Sequence, residues 1–153
     1  MQILTGSQLL PALAFGAAGA RLSLWLMSYT VSAPRPGASP AYVDLWQTLH
    51  QLPARGVDCR LIHPAGSPGV PPPHAIATLG KLAANGWRIR EYTANRTMHA
   101  KLFLVDSARA FVGSANLSEA GLSDNVEILA HSTDRATAAT LRAFFLDHWK
   151  RAD

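Results

Sequence analysis

HAKLFLVDSARAFVGSAN, residues 99–116, places two short apolar runs between polar residues at regular intervals. Apolar runs of this length, with small and polar residues between them, predict two β-strands, over 99–105 and 109–112. The polar positions follow the patterns H-x-K-x4-D and G-S-x-N, and they are His99, Lys101, Asp106, Gly113, Ser114 and Asn116. This stretch is therefore the starting point for both the fold and the chemistry.

Alternate residues of a strand share one face, so the side chains of His99 and Lys101 are expected to point together. Asp106 has the opposite parity and is not expected to touch the same ligand. Ser114 with Asn116, and Asn125 with Glu127, repeat the same spacing of two. Neighbouring strands would thus surround one small anion with an imidazole, an ammonium, an amide and a hydroxyl. Gly113 would allow a close approach of the backbone.

This set of groups suits the cleavage of a phosphodiester without a metal ion. A neutral imidazole such as that of His99 is a competent nucleophile at phosphorus. Lys101 and Asn116 can neutralise and hydrogen-bond the non-bridging oxygens as charge develops on them. Glu127 could accept a proton from the far nitrogen of His99 and so fix its tautomer.

The complete pattern resembles the HKD signature of the phospholipase D superfamily, including the trailing Asn125-x-Glu127. His148 and Lys150 form a second H-x-K, but only three residues follow it. The resemblance implies a phospholipase D-like fold, a covalent phosphohistidine intermediate and no cofactor. It also implies a supporting hydrogen bond from Ser114 and a mainly structural role for Asp106.

The chain contains a single copy of this motif, whereas the family's chemistry uses two histidines. One attacks phosphorus and the other protonates the leaving oxygen. The chain resembles the small single-motif bacterial endonucleases of the superfamily, and we therefore expect a symmetric homodimer whose active site lies across the two-fold axis. The two copies of His99 would then titrate as a coupled pair.

The rest of the chain alternates predicted strands and helices. Strands are predicted over 21–31, 57–62, 87–92 and 125–130, and helices over 41–52, 74–84 and 134–150, the last capped by Ser132 or Thr133. This alternation predicts an α/β fold with a mixed β-sheet flanked by helices on both faces, and one domain spanning 1–153. Two Pro-rich loops, 32–40 and 63–73, follow strands and are either walls of a ligand groove or stiff connections.

The segment 9–20, LLPALAFGAAGA, is apolar and ends in small residues. No Lys or Arg precedes it and Pro11 lies early in it, so we interpret it as a packed helix before the first strand rather than a signal peptide. No stretch of about eighteen apolar residues is present, and no stable membrane association is expected. We predict a cytoplasmic protein.

Composition limits the partners. Hydrophobic residues make up 48% of the 153 residues and charged residues 16%, which permits a buried core. The net charge is +4, and arginine outnumbers lysine, so a polyanionic partner is favoured. The lone Cys59 excludes an internal disulfide and a Cys-rich zinc site, and is expected in the core.

Several other residues have alternative interpretations. The segment 87–96, WRIREYTANR, is either an edge strand with one buried Trp or a nucleic-acid contact in which Trp87 or Tyr92 stacks on bases. Arg96, just before His99, is the preferred substrate-binding candidate. His63 and His74 flank a Pro-rich loop and are either groove residues or packed side chains.

The leading functional hypothesis is a metal-independent endonuclease that cleaves DNA, with RNA as a further candidate substrate. One alternative is a lipid phosphodiesterase of the phospholipase D type, which would need an amphipathic surface or anchor. The other is a catalytically silent module that binds nucleic acid. The presence of both His99 and Lys101 argues against the silent module.

Overall fold

A computed structural model describes residues 1–153. Seven strands form one mixed sheet in the order β1-β7-β6-β5-β2-β3-β4. Their bounds are Gln2–Thr5 (β1), Ser23–Met27 (β2), Asp58–Pro64 (β3), Arg88–Tyr92 (β4), Leu102–Val105 (β5), Arg109–Gly113 (β6) and Ile128–Ser132 (β7). Strands β2, β3 and β4 are parallel, and every other neighbouring pair is antiparallel.

The strand directions decide which connections lie together. Strands β1, β2, β3, β4 and β6 run one way, while β5 and β7 run the other way. One margin of the sheet therefore collects the carboxyl ends of the first group and the amino ends of β5 and β7. We call this margin the upper edge and the opposite margin the lower edge.

Helices cover the sheet on both faces, as predicted. Their bounds are Leu9–Ala18 (α1), Pro40–Gln51 (α2), Pro72–Ala84 (α3) and Arg135–Arg151 (α4). Helices α1, α2 and α3 contribute to a large apolar cluster on one face of the sheet. Helix α4 packs Ala138 and Phe145 into a smaller cluster on the other face, together with Trp25 and Leu104. The central strand β2 is buried over its whole length because both faces are covered.

Most predicted elements are present, but some limits differ. Strand β1 was not predicted. Only Leu4 of its four residues is buried, and one buried side chain does not produce the alternating apolar pattern of a strand. Helix α4 is capped by Asp134, not by Ser132 or Thr133; its carboxylate accepts a hydrogen bond from the backbone N–H of Thr137. Residues 9–18 of the predicted segment 9–20 form helix α1, which packs against α2.

Strands β5 and β7 begin later than predicted. Strand β2 ends at Met27, so β5 has no neighbour on that side before Leu102. On the other side, the carbonyl of Lys101 accepts one long bond, 3.4 Å, from the N–H of Gly113. His99 and Lys101 therefore precede β5, and Glu127 precedes β7, rather than lying within the strands.

Strand β4 is an edge strand, and the end of the chain covers it. The backbone of Glu91 exchanges two hydrogen bonds with Asp153, at 2.7 and 3.0 Å. The guanidinium of Arg90 donates to the carbonyl oxygens of Trp149 and Ala152. None of the helices combines the length and the apolar composition that crossing a bilayer requires.

Candidate active site

The upper edge brings together most of the polar residues that the motif singled out. His99 and Lys101 lie before β5, Ser114 and Asn116 follow β6, and Glu127 precedes β7. The sheet order places β5, β6 and β7 side by side, so these residues come from adjacent connections. The grouping expected from the spacing is thus produced by strand ends, not by side chains within strands.

His99 and Lys101 are in direct contact. The Lys101 ammonium lies 2.9 Å from Nδ1 of His99, 3.3 Å from Nε2 and 2.8 Å from the His99 carbonyl oxygen, to which it donates. An ammonium only donates, so it can bond to whichever of the two ring nitrogens carries the lone pair of the neutral imidazole. His99 itself is exposed to solvent. A phosphate placed on the imidazole would therefore lie within reach of the ammonium.

Lys101 is buried, although it carries the charge of the site. It is 5% exposed, beneath the exposed ring of His99. Burial lowers the pKa of Lys101 below its usual range, and the negative charge of Glu127 opposes this shift. Because the surroundings already restrict water, the attraction of this ammonium for an anion is stronger than at an open surface.

Tyr29 completes the wall of the site and was not predicted from the sequence. Its ring lies 4.5 Å from the His99 ring, centroid to centroid, and the Lys101 ammonium lies 5.4 Å from the same ring. Tyr29 lies two residues after the end of β2, which pairs antiparallel with β5. The carboxyl end of one strand therefore meets the amino end of the other. The only feature of the sequence that could have predicted Tyr29 as a site residue is its position near the carboxyl end of a strand, where ligands commonly bind.

Asn116 and Ser114 fix the connection after β6. The side-chain oxygen of Asn116 accepts a hydrogen bond from the N–H of Thr30, 3.1 Å away. This bond leaves the Asn116 amide group as a donor for a ligand. The hydroxyl oxygen of Ser114 accepts a hydrogen bond from the N–H of Ile128 at 3.1 Å, and Ser114 is exposed.

Gly113 allows a close approach, but the partner is the protein itself. A Cβ atom at this position would lie 2.0 Å from the carbonyl oxygen of Ile128 and 3.0 Å from the Cα of Leu129. No side chain fits between β6 and β7 at this point. Gly113 is therefore required for the packing of β6 against β7, and its expected contact with a substrate anion stays a prediction.

Glu127 does not form the expected hydrogen bond with His99. Its carboxylate accepts a bond from the Asn125 amide at 3.3 Å, and its charge acts on Lys101. The reason is positional: Glu127 precedes β7, and β6 lies between that strand and β5. Within one chain, Glu127 therefore contributes charge to the site rather than a contact with the imidazole.

Asp106 lies at the lower edge, away from His99. Its carboxylate accepts hydrogen bonds from the backbone N–H groups of Arg21, Leu22 and Ser23, at 2.7 to 3.1 Å. These bonds join the turn after β5 to the start of β2. The contacts match the structural role that the resemblance implied, and they place Asp106 outside the reacting groups.

The two Pro-rich loops border one cavity at the upper edge, of about 440 Å³. Arg35 comes from the first loop and Val70 from the second, and Asn116 and Asn125 face the same space. The loops are therefore groove walls rather than stiff connections alone. Of the flanking histidines, His63 is buried with its Nδ1 donating to the Pro64 carbonyl, and His74 contacts the Ala33 carbonyl.

The segment 87–96 contains both buried and exposed side chains. Trp87 is 3% exposed and donates to the Leu49 carbonyl, so it cannot stack on bases. Arg88 is paired with Asp58. Arg96 is exposed, and it lines a cavity together with His99.

Cys59 is in the core, where burial raises the pKa of its thiol to about 12.

The fold matches that of several solved structures. Nuc from Salmonella typhimurium, described as a phospholipase D family member, superposes with a TM-score of 0.82 at 20% identity, covering 99% of this chain and 96% of that one. NucT from Helicobacter pylori gives 0.78 at 18% identity with the same coverage. TrmBL2, an archaeal chromatin protein with a novel mode of DNA binding, gives 0.64 at 15% identity, covering 99% of this chain and 53% of that one.

Sequence comparison gives the same assignment. No curated protein sequence shows significant similarity to this chain. A family model described as cardiolipin synthase, PLD-like domain, matches residues 18–149, which include every motif residue. The resemblance to the phospholipase D superfamily and the mixed α/β fold are thereby confirmed. This chain belongs to the phospholipase D-like family that the model describes.

Proposed function

We propose that this protein is a metal-independent phosphodiesterase that cleaves nucleic acid in a site shared by two copies of the chain. The observation that carries the proposal is the exposed imidazole of His99 in contact with the buried ammonium of Lys101. A nucleophile and a positive charge for the phosphoryl oxygens are thus held together by one short segment. DNA is the first candidate substrate and RNA the second.

The reaction is written in two steps. A ring nitrogen of His99 forms a bond to phosphorus while the bond to the leaving oxygen breaks, and the partner's His99 donates a proton to that oxygen. Water then attacks phosphorus, the partner's His99 takes its proton, and the bond between phosphorus and nitrogen breaks. Lys101 and the Asn116 amide stabilise the negative charge on the non-bridging oxygens in both steps.

Exposed apolar side chains support the pairing of two copies. Val126 is fully exposed, Ile128 is 49% exposed and Val112 is 38% exposed. They adjoin Glu127, Gly113 and Ser114 and form a group of apolar side chains beside the site. Burial of these side chains against a second copy would lower their free energy and would bring the two His99 side chains together.

The charge of the chain supports a nucleic-acid substrate. Arg96 is exposed beside His99, and the chain carries a net charge of +4. TrmBL2, which shares this fold, is described as binding DNA. A cationic surface attracts the phosphate backbone irrespective of sequence.

The test uses purified protein, EDTA and a panel of plasmid DNA, single-stranded DNA and RNA. The wild-type protein should cleave nucleic acid, and His99→Ala should abolish cleavage. His50→Ala, which removes a histidine of α2 distant from the motif, is the matched control and should retain activity. Loss of wild-type activity in EDTA would contradict the proposal.

Two further candidates are each favoured by one comparison. The family model's description favours a phospholipid substrate, and TrmBL2 favours a DNA-binding module without catalysis. Phospholipid vesicles added to the panel test the lipid substrate. Release of the head group without cleavage of nucleic acid would identify the protein as a lipid phosphodiesterase. Salt-sensitive binding of DNA without turnover would assign the second.

A further inference from the structure

A cavity of about 230 Å³ opens directly beside His99, between α4 and the connection that carries Arg96. Three aromatic side chains line it, and the reaction proposed above does not use them: Tyr92 at the end of β4, and Phe144 and His148 of α4. His148 belongs to the second H-x-K pattern, which the family signature does not explain.

The aromatic rings form one side of the cavity. The His148 ring lies 4.2 Å from the Phe144 ring, centroid to centroid, at an interplanar angle of 37°. It lies 5.7 Å from the Tyr92 ring at 33°. Phe144 is 44% exposed, an unusual exposure for such a large apolar ring. Met27 and Met98 are buried and supply an apolar floor. This surface suits a flat ring.

The polar groups of the cavity add chemical selectivity. Nδ1 of His148 donates to the Phe144 carbonyl at 2.8 Å, which leaves Nε2 without a partner in the protein. Arg96 supplies a positive charge, and no acidic side chain lines the cavity. A ligand with a flat ring, polar ring atoms and a neighbouring negative charge would satisfy all of these groups.

We infer that this cavity receives the unpaired base of the nucleotide adjoining the phosphate that is cleaved. The inference rests on the proposed function, since the cavity shares His99 with the reacting groups. A base within a duplex is stacked and paired, so it cannot enter a cavity beside the phosphate unless it is extruded. The enzyme should therefore prefer single-stranded nucleic acid. Stacking on an aromatic ring would give little dependence on base identity.

The test compares two exposed phenylalanines. Phe144→Ala removes one wall of the cavity, while Phe15→Ala removes a 73% exposed ring of α1, away from His99. Both variants are assayed in EDTA on a single-stranded oligonucleotide and on the same oligonucleotide with one abasic residue. The affinity of each protein for the intact oligonucleotide is measured by fluorescence anisotropy.

Phe144→Ala should reduce kcat/KM on the intact strand by about tenfold, the order expected for one lost base–ring stack. It should have no effect at the bond beside the abasic residue, where wild-type cleavage should itself be reduced by a similar factor. Phe15→Ala should match the wild type on both substrates. Equal activities of Phe144→Ala and Phe15→Ala on the intact strand would overturn the inference, as would an equal loss at both bonds.

Failure of the proposed function would appear differently. The wild-type protein would then cleave neither oligonucleotide, and the anisotropy measurement would still test the cavity. A tenfold weaker affinity of Phe144→Ala for the single strand would support it, and an unchanged affinity would exclude it. If Phe144→Ala impaired only the hydrolysis of phospholipid vesicles, the cavity would be a lipid site and the inference would be wrong.

Discussion

At the scale of a single residue, Lys101 carries a positive charge in a buried position. The residue is 5% exposed, and its ammonium has hydrogen-bond contacts only with His99. Removing a charge from water costs free energy, and burial accordingly lowers the pKa of this side chain. The fold therefore carries an unfavourable charge that an anionic substrate would neutralise. This is the pattern expected of a functional group rather than a structural one.

Replacing Lys101 by Met, which keeps the length of the side chain, should separate the two effects. We expect cleavage to fall by about 100-fold or more, because the charge that stabilises the phosphoryl oxygens is absent. We expect the free energy of unfolding at pH 7 to be equal to or greater than that of the wild type. Activity assays and urea unfolding measure the two quantities.

The wild type and Lys101→Met should also differ in how their free energy of unfolding depends on pH. A lysine with a lowered folded pKa binds fewer protons in the folded than in the unfolded state, so stability rises with pH. The window lies between the lowered pKa and the unfolded value of about 10.4. The wild type should therefore gain stability relative to Lys101→Met as pH approaches 10. A variant that is clearly less stable than the wild type at pH 7 would show that Lys101 has a structural role instead.

At the scale of elements, one partly buried carboxylate joins the three parallel strands. Asp58 on β3 accepts hydrogen bonds from Trp25 on β2, from Arg60 on its own strand and from Arg88 on β4. Burial alone would raise the pKa of Asp58, but the bonds from Arg60 and Arg88 outweigh burial and lower it. The Arg60 guanidinium also lies over the Trp25 ring, 4.5 Å from its centroid.

Asp58→Asn should lower the free energy of unfolding by about 1–3 kcal/mol at pH 7, the usual cost of disrupting charge-assisted bonds of partly buried groups. Because the folded pKa is lowered, this stabilisation is complete above the unfolded pKa of about 3.9 and disappears as pH falls through the folded value. Asp147→Asn is the control, since its i,i+4 pair with Arg151 is exposed and worth about 0.5 kcal/mol or less. Equal losses from the two variants would contradict the expected role of Asp58.

The elements differ in how far the sequence could predict them. Helix α2 was predicted within one residue because its apolar spacing is a local signal, and the Ser39 cap that begins it appears only in the structure. The starts of β5 and β7 were predicted too early. The limits of a paired strand depend on where the neighbouring strands end, and the local sequence does not contain that information. His99 and Lys101 could be paired from their spacing, whereas Tyr29 is distant in sequence and reaches them only through the sheet.

At the scale of the whole molecule, the proposed reaction requires two copies of the chain. The group formed by Val112, Val126 and Ile128 is the apolar surface beside the site that a second copy would cover. A charge within this group would remain solvated in the monomer and would be desolvated in the dimer. The assembly is therefore sensitive to substitutions that leave the fold of each copy intact.

Val126→Asp should convert a dimer into a monomer and abolish cleavage, with the melting temperature of the separate chain retained. Ile76→Asp is the matched control, because Ile76 is 72% exposed on α3 and lies outside the group. Analytical ultracentrifugation and the nuclease assay report the two properties. A catalytically active monomer, for either protein, would refute the shared site.

An excess of His99→Ala subunits provides an independent test of whether the active site is shared between two subunits. Mixed dimers contain only one of the two imidazoles, so they should be inactive. Adding the variant to a fixed amount of wild type should therefore suppress cleavage, provided that the subunits exchange. Unchanged wild-type activity after exchange has been demonstrated would contradict the two-histidine reaction.

The separation of the two edges of the sheet has a practical consequence. The connections that surround His99 all leave the sheet at the upper edge, while Asp106 fastens the turn at the lower edge to the start of β2. Lengthening the exposed parts of the upper loops would change which molecules gain access and would leave the packed interior in place. A designer seeking a new specificity would graft sequences at residues 35–37 or 93–97, which are exposed, and would leave the opposite margin untouched.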